Sequence, residues 1–95
     1  MISFLVRMKF VPEDRAEIAE VLRSLALASR QEEGCVSYVP HYAEGDPDTV
    51  VIYEQYKDAA ALEAHHKSEH FKKFAVGGIY QKLRERNRED LVALV

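Results

Sequence analysis

Apolar and polar residues alternate along the first segment of the chain. Every even-numbered residue from position 2 to position 10 is apolar, whereas Ser3, Arg7 and Lys9 between them are polar. Successive side chains of a strand point to opposite faces, so this alternation predicts a half-buried β-strand over Ile2–Val11. Pro12 ends the alternation and suits the first turn of a helix.

The spacing of the apolar residues changes to three and four after Pro12. Glu13 and Asp14 stand where acidic side chains favour the start of a helix. The apolar residues that share the new spacing are Ile18, Val21, Leu22, Leu25 and Ala28. They predict an amphipathic helix of about five turns, with Gly34 as its C-terminal cap.

Two further strands and a second helix are predicted next. β-Branched and aromatic residues indicate strands over Val36–Tyr42 and Val50–Tyr56, joined by a turn rich in Gly, Pro and Asp. Asp58 is a suitable N-cap for a helix over Ala59–Lys67. The sequence after this helix predicts a short helix over Ser68–Phe74.

The end of the chain carries weaker signals. The pair Gly77–Gly78 is predicted to break the short helix. A further helical turn or two is expected over Ile79–Arg86, and Leu91–Val95 is predicted to be the last strand.

The order of elements predicts an α+β fold. Strand, helix, strand, strand, helix, strand is the ferredoxin-like split βαβ arrangement, a four-stranded antiparallel sheet with both helices on one face. We expect one such domain over residues 1–95. The first and third strands carry apolar residues on both faces, so a second copy of the chain is the simplest cover for the other face. This predicts a homodimer.

Composition and charge exclude several classes of function. The net charge of -3 argues against a nucleic-acid partner. No apolar run is long enough to span a membrane, and the N-terminus does not resemble a signal peptide. The single cysteine, Cys35, cannot form an internal disulfide, which fits a reducing cytoplasm.

Glu54 and His65 are the main candidates for chemistry. Glu54 alternates with Ile52 and Tyr56, so its carboxylate points to a face it shares with apolar groups. It is either a pocket carboxylate with a raised pKa or a structural hydrogen-bond acceptor. His65 shares a helix face with Leu62. It is either a general base or a hydrogen-bonded histidine at the rim of the core.

The neighbouring residues refine this expectation. We expect His65 and Glu54 to border one cavity between helices and sheet. His66 is about 100° further round the helix and is expected to face solvent. His66 to His70 also matches the H-x-x-E-H zinc motif. Because Ser68 is expected to break the helix there, we predict no metal site.

The stretch from Glu54 to Phe71 resembles the antibiotic biosynthesis monooxygenase family. In that family a strand ending in Glu-x-aromatic leads into a helix ending in His, and Ser-x-His-Phe follows. Here the matching residues are Glu54, Tyr56, His65 and the segment Ser68–Phe71. The pattern of Glu33-Gly34 followed by Tyr38 adds to the resemblance.

The resemblance implies a dimeric α+β barrel and an activity. It implies cofactor-independent oxygenation of a small electron-rich aromatic, such as a quinol or a polycyclic phenol. His65 would be the base and Glu54 its orienter or a substrate anchor. The substrate would contact the remaining candidates, which are Tyr38, Tyr56, His70 and Phe71.

Three alternatives stay open. Haem-degrading relatives use a tryptophan to shape the haem site, and this chain has none. An isomerase could use the same histidine and carboxylate for proton transfer. A non-catalytic ligand-binding or dimerisation module would need neither.

Overall fold

The computed structural model describes all residues from Met1 to Val95. Its strands are β1 (Ile2–Lys9), β2 (Cys35–Ala43), β3 (Asp46–Tyr56) and β4 (Glu85–Leu91), and its helices are α1 (Arg15–Ser29), α2 (Ala59–Lys67), a π-helix (Phe71–Ile79) and a last turn α3 (Tyr80–Lys82). A 3-10 turn at Pro12–Asp14 precedes α1. The strands form one antiparallel sheet in the order β2-β3-β1-β4, which confirms the ferredoxin-like split βαβ fold.

The register aligns the side chains that matter for the site. Glu54 on β3 pairs with Phe4 on β1 and with Tyr38 on β2, while Phe4 also pairs with Asp90 on β4. Even-numbered residues of β1 and β3 therefore share the face covered by the helices. The apolar core on this face includes Phe4, Val6, Met8, Ile18, Leu22, Leu25, Val50, Ile52, Ala75 and Ile79.

The opposite face of the sheet has no cover within one chain. Leu5, Val39, Val51 and Tyr53 point to this side and are only partly buried. None of the helices combines the length and the apolar content that crossing a bilayer requires.

The prediction for the last strand was wrong, and the prediction for the segment before it holds only in part. The last strand is Glu85–Leu91 and not Leu91–Val95. Its residues are mostly charged and exposed, because an edge strand needs only backbone pairing on one side and edges commonly carry charge. The segment Ile79–Arg86 is helical only as far as Lys82.

The pair Gly77–Gly78 does not break a helix. The π-helix runs from Phe71 through both glycines to Ile79. A Cβ on Gly78 would lie 3.2 Å from Cγ1 of Val21, so the missing side chain lets the π-helix approach α1. The two glycines therefore do not end the helix, and Gly78 allows it to pack closely against α1.

Asp58 is the N-cap of α2, as predicted. The Asp58 carboxylate accepts a hydrogen bond of 2.8 Å from the N–H of Ala61. Gly34, in the loop before β2, lies directly against this first turn. A Cβ on Gly34 would be 2.3 Å from the Cβ of Ala61, which no packed structure tolerates.

We expect Gly34→Ala to destabilise the protein by about 1–3 kcal/mol, because the loop and α2 must move apart. Urea unfolding measures this change. The matched control is Gly34→Ala combined with Ala61→Gly, which removes the clashing methyl group at a cost of about 1 kcal/mol in helix propensity. A double variant as unstable as the sum of the two single variants would contradict the contact.

Candidate active site

Glu54 is a buried carboxylate near the end of β3. It is 6% exposed and faces the helices. The Tyr56 hydroxyl, two residues along the same face, donates a hydrogen bond of 2.7 Å to Oε1 of Glu54. A carboxylate in this position must be paired or protonated, because burial without a partner is costly.

Burial changes the proton affinity of Glu54. Desolvation raises its pKa to about 7, against the smaller opposing effects of the Tyr56 hydrogen bond and of the Arg86 and Arg88 guanidiniums. A group with a pKa near 7 can both accept and release a proton at neutral pH, as a general base requires.

His65 lies behind Glu54 at the end of α2. Its side chain is 1% exposed, and its Nδ1 is 2.7 Å from Oε2 of Glu32. Because a carboxylate only accepts, Nδ1 carries the proton and Nε2 is left as an acceptor. Nε2 is 3.9 Å from Oε1 of Glu54, so a small movement of either side chain would bring the two atoms into hydrogen-bond distance for proton transfer. Burial lowers the pKa of His65, while Glu32 opposes this shift.

Glu32 joins the site from the loop after α1. Its Oε2 contacts His65 and also Nε2 of His70, at 2.5 Å. Its other oxygen, Oε1, is buried without a hydrogen-bond partner. Glu32 was not predicted as a site residue. One signal was present, because an acidic residue just beyond the C-terminus of a helix is unfavourable for the helix dipole and calls for a compensating contact.

The same three residues are the only group of side chains in the chain with the donor set for a metal ion. The ligand atoms of Glu32, His65 and His70 lie within 4.8 Å of one another. The two N···O distances of 2.7 and 2.5 Å are those of hydrogen bonds. Ligands at about 2.0–2.2 Å from a shared Zn²⁺ ion would stand further apart, so these three side chains form a hydrogen-bonded triad.

A narrow cavity of about 30 Å³ lies in front of Glu54. Aromatic and apolar side chains form most of its wall, including Phe4, Tyr38, Phe71 and Tyr80, and the polar lining consists of Glu54, His66, Arg86 and Arg88. The volume suffices for about two water molecules. A larger ligand would require the exposed side chains at the mouth to move.

The expectation that His65 borders this cavity and His66 does not was wrong. The His65 ring is enclosed by the rings of Tyr38, Tyr56 and Phe71, at centroid distances of 5.7, 5.2 and 5.1 Å. His66 is exposed as predicted, but its ring packs against Phe71 at 5.0 Å and lines the mouth. His66, the next residue of α2, is therefore exposed on the side of the helix that lies beside the π-helix.

Of the four other residues predicted to contact the substrate, two line the cavity and two lie behind its wall. Tyr38 and Phe71 line the cavity. Tyr56 is fully buried and serves as the hydrogen-bond donor to Glu54, while His70 binds Glu32 on the far side of His65. Burial raises the pKa of both Tyr38 and Tyr56, so both hydroxyls stay protonated, and that of Tyr56 donates to Glu54.

Two other features are weaker candidates. A larger groove of about 170 Å³ between α1 and β2 includes Arg23, His41 and Tyr42, but no carboxylate lies in its wall. Cys35 has a pKa raised to about 11, chiefly by burial. Its thiol is therefore neutral at physiological pH and a poor nucleophile.

The fold and the site together define a small ferredoxin-like domain with an acid–base cluster at an aromatic cavity. The family model for antibiotic biosynthesis monooxygenases matches residues 1–76. The chain belongs to this family, as the stretch around Glu54 and His65 predicts.

Individual relatives agree with this membership. The chain is 36% identical over 78 residues to YcnE of Bacillus subtilis (strain 168), provisionally named a monooxygenase, and the match covers 82% of each chain. PA3566 of Pseudomonas aeruginosa superposes with a TM-score of 0.90 at 30% identity, over 99% of this chain and 94% of that one. A crystal structure of an antibiotic biosynthesis monooxygenase gives a TM-score of 0.92 at 25% identity, over the full length of both.

Proposed function

We propose that this protein is a cofactor-independent monooxygenase acting on a small electron-rich aromatic, such as a quinol or a polycyclic phenol. One observation carries the proposal. A buried carboxylate with a pKa of about 7 faces an aromatic-lined cavity, in a chain of the antibiotic biosynthesis monooxygenase family.

The substrate itself supplies the electrons in this reaction. Glu54 removes a proton from the phenol or its keto tautomer, and the resulting anion passes one electron to dioxygen. The radical pair recombines at carbon. For an anthrone-type substrate a CH₂ group becomes C=O, so four electrons reduce dioxygen. One oxygen atom stays in the new carbonyl and the other leaves as water with the two hydrogens of the CH₂ group.

The residues behind Glu54 provide a route for its proton. His65 offers an unprotonated Nε2 towards Glu54 and holds its Nδ1 proton against Glu32. Glu32 in turn contacts the partly exposed His70. This arrangement revises the role expected for His65. Glu54 meets the substrate as the base, whereas His65 and Glu32 position Glu54 and return it to the ionised state.

Oxygen uptake with a panel of quinols and anthrones tests this function. We expect one dioxygen to be consumed per substrate without release of hydrogen peroxide and without added metal or flavin. An anthrone should give the anthraquinone and water, and a quinol should give the hydroxylated quinone and water. Proton transfer without oxygen uptake would overturn the proposal in favour of an isomerase, which the same Glu54–His65 pair could serve. Failure of every compound to bind or react would favour a non-catalytic module.

We also propose a homodimer through the uncovered face of the sheet. Leu5, Val39, Val51 and Tyr53 leave a half-exposed apolar surface there, and a second sheet would complete the α+β barrel. An obligate interface of this kind buries on the order of 2,000 Å² or more. Sedimentation equilibrium at micromolar concentration is expected to give twice the mass of the chain. A folded monomer under those conditions would contradict it.

A further inference from the structure

Two arginines on β4 point into the candidate active site. Arg86 and Arg88 are two residues apart on one strand, so both face the helix side of the sheet. Both line the cavity that contains Glu54. The family model ends at residue 76, so the strand that carries these arginines lies outside the region on which family membership rests.

The two guanidiniums are held in different ways. Arg88 stacks over Phe4, with its guanidinium carbon 3.9 Å from the ring centroid, and donates to Oδ1 of Asp90 at 2.8 Å. Arg86 forms no ion pair or side-chain hydrogen bond, and its guanidinium lies 5.9 Å from the centroid of the Tyr80 ring. Arg86 is exposed, and no carboxylate of the protein lies within ion-pair distance of its guanidinium, although it acts on Glu54 at longer range.

Two guanidiniums on the wall of one cavity form a surface that an anion can bind. Arginine presents a planar fork of donors that matches a carboxylate in a bidentate arrangement. The Phe71 and Tyr80 rings of the same cavity suit a flat ring once the exposed side chains at its mouth have moved apart. The one carboxylate of the protein in the cavity wall, Glu54, is buried on the central strand β3 and engaged by Tyr56.

We propose that the ligand of this cavity is an aromatic acid, whose carboxylate binds Arg86 and Arg88 while its phenolic edge reaches Glu54. The phenolic group of this ligand is inferred from the proposed function, whereas its carboxylate is inferred from the two arginines alone. It narrows the substrate class from any electron-rich aromatic to hydroxylated aromatic carboxylates.

Calorimetric titration with a matched pair of probes tests the inference. The full-length protein at pH 7 and low salt is titrated with 6-hydroxy-2-naphthoate, whose hydroxyl and carboxylate lie at opposite ends of the rings, and with 2-naphthol, which lacks only the carboxylate. We expect the carboxylate to bind at least about 10-fold more tightly, a preference that weakens as salt screens the charges. Arg86→Gln should remove most of that preference.

Arg84→Gln is the matched control. It removes the same charge two residues earlier, where Arg84 lines a different part of the surface beside Lys82. Equal affinity for the two probes, no binding of either, or equal losses in Arg84→Gln and Arg86→Gln would each overturn the inference. Thermal unfolding of both variants verifies that they are folded.

Binding and oxygen uptake distinguish the two proposals. Preference for the carboxylate without any oxygen uptake would support the anion site and refute the monooxygenase. Oxygen uptake with uncharged naphthols and no preference for the carboxylate would support the monooxygenase and refute the anion site.

Discussion

Glu54→Gln is expected to lower kcat/KM for oxygen uptake by about 10²–10⁴-fold, the usual contribution of a general base. Glutamine keeps the size of the side chain and can still accept the hydrogen bond from Tyr56, so the fold should persist. Glu69→Gln is the control, because Glu69 is almost fully exposed beside the same cluster. Comparable activity of the wild type and Glu54→Gln would remove Glu54 from the mechanism.

The same substitution has a consequence for stability. In the unfolded chain Glu54 titrates near 4.5, whereas in the folded protein its pKa is about 7. Between these values the folded state binds more protons, so stability falls as the pH rises through this window and levels off above it. At about 1.4 kcal/mol per pH unit, the loss is on the order of 3 kcal/mol.

Glu54→Gln should abolish this part of the pH dependence. Urea unfolding of both proteins from pH 4.5 to 8 measures the difference. The variant should become progressively more stable relative to the wild type as the pH rises. A constant difference across the range would show that the carboxyl group of Glu54 titrates alike in the folded and unfolded states.

His65→Ala is expected to destabilise the protein by about 3 kcal/mol. The substitution empties a site enclosed by Tyr38, Tyr56 and Phe71, and it takes one of the two hydrogen-bond donors from the Glu32 carboxylate. Large-to-small changes of buried rings cost about 3–5 kcal/mol, and loss of a buried hydrogen-bond partner adds to the cost. Turnover of the remaining folded protein should also fall by about 10²-fold or more.

Chemical denaturation compares this variant with His66→Ala. His66 is largely exposed, and surface substitutions usually change stability by less than about 0.5 kcal/mol. Equal stabilities of the two variants would show that His65 is not part of the core. A fully active His65→Ala variant would exclude His65 from the proton route.

Hydrophobic periodicity predicts most of this fold. The alternation in β1 and the three-and-four spacing in α1 state directly which face of each element is buried. β4 lacks such a signal, because backbone pairing with β1 holds it and its side chains are mostly charged. A glycine pair such as Gly77–Gly78 can either end a helix or allow it to approach a neighbouring element closely. Only the position of Val21 on α1 shows that close approach is its role here.

The site was predictable only where its residues follow one another. Glu54, Tyr56 and His65 lie within one strand–helix unit, so their proximity follows from local geometry. Glu32 is 33 residues from His65 and 38 from His70, and no local pattern relates such positions. The choice between His65 and His66 for the cavity depends on how α2 rotates against the π-helix, which is a matter of tertiary packing.

The two sides of the cavity differ in mechanical stiffness. Glu54 belongs to β3, which is hydrogen-bonded to a neighbour along both of its edges, whereas the arginines belong to β4, which is bonded only to β1. Backbone fluctuations that open a sheet begin at its rim. The proton-transfer group is thus anchored in the least compliant part of the molecule, while the opposite wall can yield to ligands of different width. Substitutions on β4 can therefore change which ligands bind without moving the proton-transfer group on β3.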